Sequence, residues 1–234
     1  AWTRGLALVL GSSVYAYASM LTAFLLGLAS GAGSASRFLE RRPRTDPRAT
    51  LAFVLAAAGL LSFVAAYAMQ SLPRLSAEIF FRISPSPEGW WLAQVGLALL
   101  VMFPTTYALG WVFPLVLEAA GGARRTVASS VGRIYAANTL GTIVGAATGG
   151  FLLIPLLGVG TTLVGVAVVQ ILLGAALLPG ATAGTSKLRR NLAVAGVVAA
   201  CLCVALRPAW DVVLMNSGVY LYVDDADKND GWKG

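Results

Sequence analysis

The chain alternates between apolar runs and short polar or basic connectors. Apolar runs over about residues 6–31, 51–70, 90–119, 133–155 and 159–178 are long enough to cross a bilayer core as helices. A sixth, over about residues 192–206, is short unless it extends through Pro208 toward Trp210. Trp2 and the Trp90–Trp91 pair stand at run boundaries as interfacial anchors. After the second run, Leu72, Leu75, Ile79 and Ile83 fall on one helical face and Arg74, Glu78 and Arg82 on the other. That pattern predicts a short helix lying in the interface. Pro104 and Pro114 each remove a backbone donor, so the third span is expected to be bent or locally broken. The fold class is therefore all-α: a polytopic membrane helix bundle of about six transmembrane helices plus the interfacial helix. Residues 1–208 form the bundle, and 209–234 form a polar extramembrane segment that reads as the start of a soluble domain.

The run 133–155, RIYAANTLGTIVGAATGGFLLIP, carries the most specific pattern. It would be about 34 Å long as a helix. Gly141, Gly145 and Gly149 recur every fourth residue, with Asn138 and Thr142 on the same face. Lipid provides no hydrophobic drive between helices, so small residues act by letting a second backbone approach, and an amide can bond across the seam. This helix is expected to be a packing spine, its glycine face buried against another helix. Gly27 and Gly31 form a second close-packing pair at the end of the first span. The turn at Gly158 and Gly160 is short enough to make the fourth and fifth spans antiparallel neighbours.

Composition agrees with the membrane reading. Hydrophobic residues make up 58% and charged residues 12% of 234, with a mean hydropathy of +0.77, and so few charges could not solvate a soluble domain. The net charge of +7 lies in short runs between spans, which favours orientation in a membrane over nucleic acid as its explanation. Arg37, Arg41, Arg42, Arg44 and Arg48, with Pro43 and Pro47 breaking any long helix, mark a cytoplasmic loop that faces anionic lipid headgroups. The three loops expected inside hold 11 of the 17 basic residues, which places the C-terminal segment on the non-cytoplasmic side. Glu118 is read as a surface ion-pair partner of Arg124, Arg125 and Arg133. The start, without an initiator Met or a cleavable signal, reads as the edge of a longer chain.

Candidate chemistry is sparse. Histidine is absent, Cys201 and Cys203 are read as packing residues, and no cluster has metal-ligand spacing. Asp225, Asp227 and Asn229 match the first positions of a calcium loop, but the glycine comes one position late and no glutamate follows. No catalytic, cofactor or metal residue is assigned.

Three stretches, WTRGLALVLGSSVYAYASMLTAFLLGLASG, VGRIYAANTLGTIVGAATGGFLLIPLLGVGTTL and WDVVLMNSGVYLYV, resemble the transmembrane region of membrane-bound spermidine synthase-like (fused major-facilitator/spermidine synthase) proteins. The resemblance implies a membrane-embedding module in a bacterial inner membrane. In that family the aminopropyltransferase residues lie in a later soluble domain, so none is carried onto this chain. Two other readings stand beside it. One is an accessory subunit packed against other membrane-protein subunits; the other is a transporter-like bundle, suggested by the proline-bent third span.

Overall fold

The computed structural model describes residues 2–10, 13–83, 87–121, 127–180 and 185–208. Outside them lie the segment 209–234 with its aspartate run, Arg124 and Arg125, and the turn residues 84–86. The described elements are all helical: α1 (Trp2–Leu10), α2 (Val14–Arg41), α3 (Pro47–Ile83), α4 (Pro87–Gly110), α5 (Val112–Gly121), α6 (Val127–Ala147), α7 (Ile154–Leu177) and α8 (Ser186–Ala205). A π-helical segment, Thr148–Leu153, joins α6 to α7, and a 3-10 turn, Leu178–Gly180, follows α7.

Five stretches are long and apolar enough to cross a membrane: Val14–Arg41, Pro47–Pro73, Leu92–Ala120, Val131–Leu177 and Ser186–Ala205. The fourth holds 47 residues, about 70 Å at the helical rise and roughly twice a bilayer core. Contacts show that it folds back. Tyr135, early in α6, meets Phe113 of α5 edge-on at 6.0 Å, and Trp111, just ahead of α5, is tied to the end of α2 by its ring contact with Phe38 at 5.4 Å. Val159 lies at the opposite end beside Gly5 of α1, while Gly174 has returned to Ala52 and Ala56 near the start of α3. The reversal is at Gly158, whose φ of 79° and ψ of 165° suit a residue without a β-carbon.

Packing runs α2 on α4, α4 on α3, α3 on α7 and α7 on α8. Leu6, Met20, Met69, Leu72, Leu97, Val101 and Leu163 form the largest buried cluster where α1 to α4 and α7 converge. Two seams bring backbones together. A β-carbon on Gly31 would fall against the Tyr107 carbonyl and 3.2 Å from the Gly110 Cα, and one on Gly27 against the Thr106 side chain. In the α3/α7 seam, β-carbons on Gly59 and Gly174 would lie 2.7 Å from the Ala167 oxygen and 2.6 Å from the Ala52 oxygen.

Several expected boundaries are corrected. The first span is divided: α2 starts at Val14, where the Ser13 hydroxyl accepts a hydrogen bond from the Ala16 amide at 3.1 Å. It continues through Arg37 to Arg41, because Pro43 restricts only Arg42, the residue before it. The interfacial helix is not separate, since α3 passes through Pro73 to Ile83 with Leu72 buried and Leu75 packed on the core. The break expected in the third span is present at Trp111, whose amide turns back to Ala108 at 3.2 Å, while α4 runs through Pro104. Pro114 supplies no N–H for the Gly110 carbonyl four residues earlier, which locates that break. Lys187, Arg189 and Arg190 lie in the first turns of α8 rather than in a connector, because Thr185 caps that helix through the Leu188 amide at 3.3 Å.

The α2/α4 seam makes a paired test. Gly31→Leu should lower the unfolding free energy by about 1–3 kcal/mol through overpacking. Gly33→Leu on the same helix, with no atom within 4 Å of its β-carbon position, should be nearly neutral or stabilising. Thermal unfolding in detergent reads both, and equal effects would contradict the close backbone contact.

Candidate functional site

The five loop arginines converge at one end of the bundle, all exposed: Arg37 and Arg41 on α2, Arg42 at its C-cap, Arg44 in the turn and Arg48 in the first turn of α3. The Arg42 guanidinium sits 5.8 Å over the Phe38 ring, and Asp46 caps α3 by accepting from the Arg48 amide at 2.9 Å. Arg189 and Arg190 belong to the same end, because the α7–α8 turn follows Gly174 and its contact with Ala52. One pole of the molecule is therefore strongly basic.

Among the described residues no second helix covers the glycine spine. Beyond the backbone of its own helix, no described atom lies within 4 Å of the β-carbon positions of Gly141, Gly145 and Gly149, and Asn138 is exposed. The cause is the bend at Gly158: α6 touches α5 and the π-helical segment, but does not pack along α7. The antiparallel neighbours are splayed. The face is nevertheless compatible with lipid along most of its length, because Thr139, Thr142 and Thr148 donate to the carbonyls of Tyr135, Asn138 and Val144 at 2.9, 2.8 and 2.7 Å. Asn138 has no such bond from its amide among the described residues. Gly27 and Gly31, by contrast, sit at the tightest part of the α2/α4 seam.

Intramembrane polar groups escaped the sequence reading. The buried Ser62 hydroxyl of α3 donates to Gln170 Oε1 of α7 at 3.2 Å, and Gln94 of α4 is buried. The signal was present: each glutamine interrupts an otherwise apolar run, where polar side chains turn toward the protein interior. Thr106 bonds back to the Met102 carbonyl at 2.9 Å, while Thr105 Oγ1 is buried without a partner among the described residues. Near the basic pole, a groove of about 610 Å³ between α7 and α8 is lined by apolar side chains with Ser186, Arg189 and Arg190.

Glu40 and Glu118 are exposed and Asp46 is committed to its cap. Of the partners expected for Glu118, Arg124 and Arg125 lie outside the described residues. Among the described residues no three His, Cys, Asp or Glu side chains gather into a metal-binding group. No family model, curated protein or solved structure matches this chain.

The Ser62–Gln170 bond is the best-defined polar link between spans. In a double-mutant cycle of Ser62→Ala and Gln170→Leu, the coupling energy should be about 0.6 kcal/mol and no more than about 1.7. A coupling indistinguishable from zero in detergent unfolding would remove this bond from the account of the α3/α7 seam.

Proposed function

We propose that this chain is a non-catalytic membrane-embedding module that presents α6 to a transmembrane helix not supplied by its described residues. One observation carries the reading: an apolar span with a bare glycine face and an unpartnered amide, Asn138, stands clear of a bundle whose other helices are packed. An amide in hydrocarbon costs free energy unless it is hydrogen-bonded, so a partner helix with a polar group would stabilise α6 twice, through that bond and through backbone contact. The resemblance to spermidine synthase-like membrane regions supports the same role, with any aminopropyl transfer performed outside residues 1–208. A subunit packed into a larger membrane complex is the closely related second reading, favoured by the same exposed face. The transporter-like reading draws only on the break at Trp111.

The basic pole belongs in the cytoplasm of a bacterial cell on this reading, because arginine-rich ends stay on that side of the inner membrane. Ser36→Cys should therefore resist an impermeant thiol reagent in intact cells and react after permeabilisation. Labelling from outside would reverse the orientation.

The α6 face is tested by cysteine crosslinking in native membranes, in a Cys201→Ser, Cys203→Ser background. Thr142→Cys, on the glycine face, should give a higher-mass adduct, and Leu140→Cys, on the far side, should not. Adding Gly145→Leu should abolish the adduct while changing the stability of the isolated chain by no more than about 0.5 kcal/mol. No adduct at Thr142, or adducts at both positions, would sink the proposal.

A further inference from the structure

We infer that the groove between α7 and α8 is a binding site for one anionic phospholipid of the leaflet at the basic pole. The two helices touch at Gly196, whose β-carbon position lies 3.0 Å from that of Ala175, and below it Ile171, Ala200 and Cys203 form a small buried cluster. The groove runs beside this contact, from Leu172 and Val198 to Pro179 and Ser186 at the basic pole. Its walls come from Leu172, Ala175 and Ala176 on α7 and from Ala193, Val194 and Val197 on α8, so a hydrocarbon chain meets only apolar atoms there. Three of the wall side chains, Leu172, Val194 and Val197, are between 41% and 56% exposed, and their hydrocarbon faces the position that lipid would fill.

The head of the groove has the opposite character. Ser186, Arg189 and Arg190 line it, no carboxylate among the described residues does, and all three stand in the first turns of a 20-residue helix whose amide end adds positive potential. Arg190, Val194 and Val198 follow at helical spacing, which carries the wall from charge to hydrocarbon over about 12 Å. That length suits a phosphate head and the upper part of its acyl chains. Basic pockets between transmembrane helices bind anionic head groups in this way. Charge at one end and apolar walls below it select an amphiphile over a free anion, and a phospholipid with a net negative head over a zwitterionic one, whose own cation the arginines repel. The site is distinct from the five-arginine turn, which offers charge without an apolar groove.

The test uses the whole chain in neutral detergent, with native mass spectrometry counting retained lipid. The probes are phosphatidylglycerol, phosphatidylcholine and glycerol phosphate. One phosphatidylglycerol should be retained in preference to phosphatidylcholine, and an excess of glycerol phosphate should not displace it. The double variant Arg189→Gln, Arg190→Gln should weaken retention by about tenfold or more. Ala193→Leu, which fills the groove and leaves the charge unchanged, should also weaken it, whereas Arg41→Gln, Arg42→Gln should not. Equal retention of both lipids, displacement by glycerol phosphate, or equal losses in the two arginine double variants would overturn the assignment. So would unchanged retention in both groove variants.

Discussion

Close approach of backbones at small residues is the interaction on which this bundle depends. Hydrocarbon solvates leucine as well as a neighbouring helix does, so burying an apolar side chain between two spans gains little by itself. Dispersion grows when more atoms come within contact distance, and that requires side chains small enough to let main chains meet. Gly27, Gly31 and Gly110 do this between α2 and α4, and Gly59 and Gly174 between α3 and α7. The larger core residues, among them Met20, Met69 and Leu163, fill the space that those two seams enclose. The Ser62–Gln170 bond then fixes the register of α3 on α7 where two apolar surfaces would otherwise slide.

Much of this order was legible in the chain, and its failures share a cause. Span identity follows from apolar length, and the end of α4 follows from Pro114, whose ring chemistry acts within four residues. The same glycine spacing, however, stands for two different things. At Gly27 and Gly31 it lies in a helix contact, and at Gly141, Gly145 and Gly149 it faces open space. A one-dimensional pattern records that a face can be approached, not what approaches it. Which of the two occurs was decided by Gly158, a single backbone angle that no hydrophobic period encodes. The α7/α8 groove was hidden for a related reason: its arginines read as a connector until Thr185 is seen to cap α8 and bring them onto a helix.

The wide turn ahead of Gly158 has its own chemistry. Pro155 withholds the N–H that an α-helical ladder would offer to Phe151, and the chain passes through this point as a π-helical turn, with the Ile154 amide reaching Gly149 five residues back. Gly149 and Gly150 make that wider turn cheap in steric terms, since neither brings a side chain into it. Gly149 therefore belongs both to the bare face and to the wider turn.

The polar inventory of α6 explains how such a helix can stand alone in a membrane and still gain from company. A threonine is self-sufficient there, because its hydroxyl reaches the carbonyl one turn back, as Thr139, Thr142 and Thr148 do. An asparagine is not: its amide carries two donors and an acceptor, more than the backbone of its own turn can satisfy. Asn138 is thus an amide on the glycine face whose bonding α6 does not complete. Its free energy differs between lipid and a polar helix contact, while that of its threonine neighbours scarcely changes. The glycines set how near a partner can come, and Asn138 sets what that partner must carry.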